Sequence, residues 1–484
     1  MRADEQAADD RLAALGRDVE GAAWRSPEQL RGLAVHRRRR RRLIGVTAVG
    51  AAAATAVALV VVTPGASPHQ GVHVPAGLRA AARAGVAVQL VANDQPITTP
   101  SDTSAAMAVA RAEQAFTFAL LHQTNTSGKR DNVVLSPSSL AIALSMLQNG
   151  ALGQTRQGIA TTLQTSGLTN AQQNAGWAAL TADLATAGKK AGLTLESANS
   201  LWLQQNLPMQ EPFMHTLARY FQSGVWQVDF GRDLAGATRA INTWVTDKTH
   251  GKITKLFADG DIDASTVLVL ANAVYFKAAW QTQFDSKLTK DGDFHLSGGG
   301  TATVPFMATP SEGVKGLPHA ITPGYDAVQL PYAGGRFAAF AILPKGQELT
   351  QFVDSLTPAR LHQITATLSG ERPVALQMPR FTAEQYTNLD DTMAAMGMQQ
   401  AFTPVADFSA MSPAGLWVQN VVQRDYLSVD EKGTEAAAVT GIDMTDLAVK
   451  VTPSISLDHP FLFLIRDTKT GTIMFAAQIQ HPNR

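Results

Sequence analysis

Val429-Asp430-Glu431-Lys432-Gly433-Thr434-Glu435-Ala436-Ala437-Ala438 is the stretch on which the reading of this chain turns. Side chains of an extended strand alternate between two faces. Thr434, Ala436, Ala438, Thr440, Ile442 and Met444 share one face, and Glu435, Ala437, Val439, Gly441, Asp443 and Thr445 share the other. Both acids thus fall on the second face, and the first can be buried without stranding a carboxylate. Asp446 is the next residue on the buried-type face, at the far end. The leading residues are small. No proline interrupts Glu431–Val451, so every residue keeps the N–H that a sheet ladder needs.

Around this stretch lie 484 residues, 45% hydrophobic and 17% charged, enough for a large buried core. Forty Lys and Arg balance forty Asp and Glu, so no global field draws nucleic acid. Cysteine is absent, which excludes disulfides, a thiol nucleophile and thiolate metal sites. Six arginines, Arg37–Arg42, precede the uncharged run Leu43–Val62. Twenty apolar residues span roughly 30 Å as a helix, the thickness of a bilayer core. Arginines favour the cytoplasmic side. These features predict a cytoplasmic segment 1–42 and a single-pass transmembrane helix 43–62, with the rest of the chain outside the membrane. A cleaved signal peptide or a buried helix fits the long leader and the flanks less well. Residues 63–104, with Pro64, Pro68, Pro75, Pro96 and Pro100, read as a linker or stalk. Residues 105–484 show no linker-like break and read as one domain. Helical periodicity lies at Leu140–Leu147 and Ala240–Thr249; strand-like runs lie at Thr266–Phe276, Ala338–Leu343, Leu427–Val429 and Phe461–Ile465.

Catalytic motifs are lacking. Neither H-E-x-x-H nor G-x-S-x-G occurs. His69 and His73 have helical metal-ligand spacing but lie in the Pro- and Gly-rich linker, and His459 and His481 read as structural, so no metal site is expected. Lys469-Thr470-Gly471 and Ser197-Ala198-Asn199 imitate motifs of penicillin-recognising hydrolases. The S-x-x-K nucleophile of those enzymes is missing, and a hairpin turn with Gly471 at positive φ explains the K-T-G. The chain is therefore read as a non-enzyme.

Several segments, in order, resemble the serpin family. Val429–Ala438 resembles the hinge of the reactive-centre loop, and His459-Pro460-Phe461-Leu462-Phe463-Leu464-Ile465-Arg466-Asp467 resembles the C-terminal signature. Asn132–Ser139, Ile241–Val245, Leu270–Lys277 with Trp280, Leu330-Pro331-Tyr332, Pro379-Arg380-Phe381 and Ala406–Ser409 match intervening blocks. The resemblance covers about 105–484, and with the anchor it suggests a membrane-anchored, bacterial-type member.

The resemblance implies an α+β serpin fold, with mixed β-sheets, surrounding helices and an exposed reactive-centre loop. It implies a suicide inhibitor of extracytoplasmic serine proteases, with cysteine proteases a second class, that traps the acyl-enzyme by inserting the cleaved loop into the central sheet. It assigns Glu431, Gly433, Thr434, Glu435, Ala436, Ala437 and Ala438 to the hinge. Ser136, Ser139, Asn272 and Gln423 fall at the shutter, Gln423 standing where many relatives have histidine, and Trp280 falls at the breach. Family spacing puts the reactive bond at Leu447–Ala448, with Met444 and Lys450 as alternatives. Leu447 suits a chymotrypsin-, elastase- or subtilisin-like target. A monomer with no cofactor is expected. The competing expectation is a non-inhibitory serpin-fold binding or cell-surface interaction protein.

Overall fold

The computed structural model describes residues 58–62, 87–92, 94–97, 102–125, 131–258, 260–434 and 452–482; for 58–62, 196 and 197 only the backbone is described. All of these belong to one unit, Thr55–Arg484. Its strands are, in chain order, β1 (Ala58–Val62), β2 (Val88–Ala92), β3 (Val133–Leu135), β4 (Thr194–Gln204), β5 (Val225–Val228) and β6 (Leu268–Ala279). Next come β7 (Lys290–His295), β8 (Thr301–Ala308), β9 (His319–Ile321), β10 (Tyr325–Pro331), β11 (Phe337–Pro344) and β12 (Ala375–Pro379). The last are β13 (Phe381–Asn388), β14 (Asn420–Asp430), β15 (Gly433–Thr434), β16 (Ser454–Ser456), β17 (Phe461–Asp467) and β18 (Ile473–Ile479).

Among the described residues these strands form three sheets. The large one runs β1-β2-β5-β4-β6-β15-β14-β13, the second β3-β18-β17-β11-β10-β9, and the third β16-β12-β8-β7. β6 is covered on both faces, which is why it reads as an almost unbroken apolar run rather than an alternating one. On its inner face Leu270, Val274 and Phe276 join the main core with the helix Pro137–Asn149 and the second sheet. That helix is apolar nearly all round because it is buried nearly all round, and Pro137 starts it where no intrahelical N–H is lost. On the outer face the small side chains of Ala271 and Ala273 leave room for the helix Leu234–Lys248. Asp233 caps this helix through the Gly236 N–H at 2.9 Å. Trp244 meets Trp202 edge-on at 5.9 Å, and Trp226 stacks on Trp202 at 5.0 Å. The periods read at Leu140–Leu147, Ala338–Leu343, Leu427–Val429 and Phe461–Ile465 fall inside elements of the expected type, and those at Ala240–Thr249 and Thr266–Phe276 overrun theirs by one and two residues.

One expectation at the N-terminal side is corrected. The transmembrane helix Leu43–Val62 does not form as such, because Ala58–Val62 is strand β1. It pairs in parallel with β2, from Ala58 opposite Val88 to Val62 opposite Ala92. A short Val-rich run fits a sheet edge, where unpaired N–H and C=O groups of the neighbouring strand await partners. Among the described residues no helix is long and apolar enough to cross a membrane. The reading of a single-pass membrane protein with a cytoplasmic N-terminus and an extracytoplasmic serpin domain is overturned with it; residues 43–57 lie outside the described residues.

The stretch read as linker 63–104 also contributes to the fold. β2 pairs antiparallel with β5, from Val88 opposite Gln227 to Leu90 opposite Val225. Beyond it, the Ile97 N–H donates to Arg219 O at 3.0 Å, and Asp94 contacts the His215 ring. The first helix among the described residues starts at Thr103, with Asp102 accepting from the Ala105 N–H at 2.9 Å. Alternating burial of β2 carries its own signal, but the neighbouring prolines masked it. Gly224 makes the approach possible, since a Cβ there would stand 2.1 Å from Leu90 O. Replacing Gly224 by Ala is expected to dislodge β2 at a cost of about 1–3 kcal/mol. Hydrogen exchange at Val88–Ala92 checks this, and unchanged protection in the variant would refute the docking.

Candidate functional site

The parallel neighbours β6 and β14 form a seam in the large sheet. They pair directly from Val269 opposite Asn420 to Val274 opposite Asp425. Above that fork they part, and β15 stands between them, antiparallel to both: Gly433 faces Ala279 and Asp430, Thr434 faces Ala278 and Val429. A Cβ on Gly433 would lie 2.1 Å from Ala278 O, so only glycine fits where the chain turns back into the sheet.

The entrance of β15 is held by specific contacts. Thr434 is fully buried, and its hydroxyl lies 2.7 Å from the Tyr332 hydroxyl. The Tyr332 ring stacks on Trp280 at 4.6 Å and 11°. The Trp280 indole donates to Asp430 O at 2.9 Å, and its backbone N–H donates to Lys432 O at 2.9 Å. Glu431 accepts from the Thr289 hydroxyl at 2.7 Å and from the Arg380 guanidinium. Burial pulls the Glu431 carboxyl up, but these two donors outweigh it and hold it below the ordinary value. A depressed carboxyl contributes stability above its unfolded-state value, and that contribution is lost as the pH falls through its folded-state value. Acidification below about pH 4.3 is therefore expected to loosen the β14–β15 turn. Trp280 fluorescence should report it, and Arg380→Ala should move the transition to higher pH; an unmoved transition would refute the pair's role.

Below the fork a second polar group bridges the seam. Asn199 of β4, Asn272 of β6 and Gln423 of β14 stand in one row across the sheet. The Asn272 amide donates to Ser139 Oγ at 2.6 Å and to Asn199 Oδ1, and its Oδ1 accepts from Gln423 Nε2 at 2.6 Å. Gln423 also clamps the Ser136 backbone, donating to its carbonyl at 3.0 Å and accepting from its N–H at 3.3 Å. The Ser136 hydroxyl donates to Met474 O at 2.7 Å. All four residues expected here, Ser136, Ser139, Asn272 and Gln423, are brought together out of contact with water. Gln supplies both a donor and an acceptor, so the row is complete without a titrating ring. Removing Asn272 takes one acceptor from the buried Gln423 amide and one donor from Ser139 Oγ, and cuts the link between β6 and β14. Asn272→Ala is expected to cost about 2–4 kcal/mol in urea unfolding; a loss within experimental error would refute the bridge.

Asp425 lies two residues along β14 from Gln423, on the same inward face and fully buried. Among the described residues no group reaches either carboxylate oxygen with a hydrogen bond. Burial alone pushes this carboxyl well above the ordinary carboxylate range.

Trp280, Glu431, Gly433 and Thr434 are placed at one end of the seam, as one cluster. Glu435–Ala438, Met444, Leu447, Ala448 and Lys450 lie outside the described residues. Sequence reasoning missed Asn199, which it weighed only as part of the hydrolase decoy, and gave no role to Tyr332, Thr289, Arg380 or Asp425. Asn199 and Asp425 stand in strands that carry several other polar residues, so neither offers a signal of its own, and the others come from distant segments. Lys469-Thr470-Gly471 is the turn between β17 and β18, with Gly471 at φ 78° and Thr470 bonded to Asp467 at 2.6 Å, as the hairpin reading expects.

The chain matches the family profile Serpin (serine protease inhibitor) over residues 111–482. It is 30% identical to human neuroserpin over 371 residues, covering 75% of this chain and 89% of that protein. Its fold superposes on the native state of the thermophilic serpin tengpin with a TM-score of 0.70 and 25% identity, covering 80% and 97% of the two chains. Human thyroxine-binding globulin in complex with its hormone also gives 0.70, at 26% identity, covering 79% and 100%. The chain belongs to the serpin family, whose members are generally protease inhibitors rather than enzymes. The expected bacterial, membrane-anchored subtype finds no support in these matches.

Proposed function

We propose that this protein is a suicide inhibitor of serine proteases. One observation carries the reading: β15 already stands between β6 and β14, at the head of the segment that would have to enter. In the proposed sequence a protease serine attacks the carbonyl carbon of Leu447. The Leu447–Ala448 bond breaks, Ala448 leaves as a free amine with the proton, and Leu447 remains on the enzyme as an ester. The freed loop then inserts and carries the enzyme away before water completes hydrolysis. Main-chain hydrogen bonds to two waiting strands drive the step.

The residues support this sequence of events. Continuing the register of β15 sets Ala436 between Phe276 and Leu427, and Ala438 between Val274 and Asp425. Small side chains enter first, where the sheet must open. Thr440 would then fall between Asn272 and Gln423, where its hydroxyl can replace the hydrogen bond that insertion breaks. An apolar Leu447 fits a chymotrypsin-, elastase- or subtilisin-like pocket, whereas cleavage after Lys450 would indicate a trypsin-like one. The likeness to thyroxine-binding globulin favours a second reading, a non-inhibitory binding protein.

Mixing the purified chain with chymotrypsin-, elastase-, subtilisin- and trypsin-like proteases separates these readings. Inhibition gives a covalent complex that survives SDS and releases a peptide beginning at Ala448. Clean cleavage with all proteases still active would favour the binding protein. Ala436→Arg places a charge on the face that insertion would bury, between Phe276 and Leu427 in the continued register, which opposes insertion. The variant is expected to be cleaved at the same bond while complex formation falls at least about tenfold, since ~1.4 kcal/mol against insertion suffices for that. Undiminished complex would refute the insertion step.

A further inference from the structure

Asp425 has no part in the scheme above, yet it sits at the point where the seam divides. Val274 opposite Asp425 is the last direct pair between β6 and β14, so this pair must separate first when the sheet opens from the β15 end. The carboxyl is fully buried and has no hydrogen-bond partner among the described residues.

Its surroundings offer no countercharge. From β6 the inward positions are Asn272, Val274 and Phe276; from β13 they are Ala383, Gln385 and Thr387. On its own strand the flanking inward residues are Gln423 and Leu427, and β3 and the helix Pro137–Asn149 carry no charged residue. The other charged residues of these three strands, Lys277 of β6, Glu384 of β13 and Arg424 and Asp430 of β14, lie on the opposite face, where Arg424 pairs with Glu384 at 2.7 Å.

We propose that Asp425 makes opening of the seam proton-coupled: the carboxyl stays protonated while β6 and β14 are zipped and gives up its proton to water when they part. The fork is thereby a pH-sensitive gate, and its bearing on inhibition rests on the loop-insertion reading. The direction follows from linkage. In the closed sheet the proton is retained, whereas in an opened, hydrated fork the carboxyl returns toward its ordinary value of about 3.9. Opening therefore releases a proton and becomes easier as the pH rises above about 4, by at most tenfold per pH unit. A protonated carboxyl without a partner already disfavours the closed state, and ionisation adds to that. Acid holds the gate shut; neutral pH eases it.

The experiment uses the full chain as wild type, Asp425→Asn and Asp425→Ala. The asparagine keeps the shape without titrating, and the alanine removes the buried polar group should the asparagine fold poorly. Amide exchange is followed by mass spectrometry in peptides spanning Leu268–Ala279 and Asn420–Asp430 between pH 5 and 7. At each pH the wild-type rate is divided by the variant rate, which cancels the chemical exchange rate. The expected ratio rises about tenfold or more across that range, while peptides of the third sheet keep a constant ratio. A pH-independent ratio at the fork for both variants would overturn the proposal. Heat stability of the wild type before and after loop cleavage is measured in parallel. A cleaved chain that gains no stability at any pH rejects loop insertion, and the exchange ratio still decides whether Asp425 gates the fork.

Discussion

The parallel pairing of β6 with β14, complete up to Val274 and Asp425 and absent above, is the constraint on which the rest of the structure depends. Above the fork the two strands stand apart, and among the described residues β15 pairs with both at the mouth of that gap. In the proposed action the chain adds ladder bonds by feeding more of itself between the two strands, so a single seam carries both this part of the fold and that action.

What keeps the seam shut is polar. Asn199, Asn272 and Gln423 bridge it below the fork, backed by Ser136 and Ser139 at the start of the buried helix. Such a bridge has high stakes in a low-dielectric interior: satisfied it specifies one register, and broken it strands several groups at once. At the other end Trp280, Tyr332, Glu431 and Arg380 fix the turn that delivers β15. Apolar packing from the helix Leu234–Lys248 covers the outer face of the same strands, so any opening must also shift that helix over the small residues Ala271 and Ala273. In the proposed action, opening works against both this bridge and this packing.

The edge of the large sheet far from the seam is blunted by β2 and β1. β5 is short and would otherwise present an unpaired edge beside two buried tryptophans. β1 and β2, ahead of Thr103, therefore extend the sheet, and Gly224 is the local adaptation that lets the β2 backbone approach.

The sequence by itself determined the fold class and, through motifs in fixed order that resemble the family, singled out Gly433 and Thr434 and four of the five residues that meet in the polar bridge. Gly433, Thr434, Asn272 and Gln423 were legible for that reason. Tertiary structure alone decided the fate of Ala58–Val62, since five Val- and Ala-rich residues at the end of a longer apolar run suit a helix or a sheet edge until a partner strand is known. It also decided what touches Glu431 and Thr434: Thr289, Arg380 and Tyr332 come from segments at least 50 residues away. Asp425 is the clearest case. Its one-letter identity reads as an ordinary charged residue, and only the closing of three strands and a helix around it removes the water and the partners that would make it one.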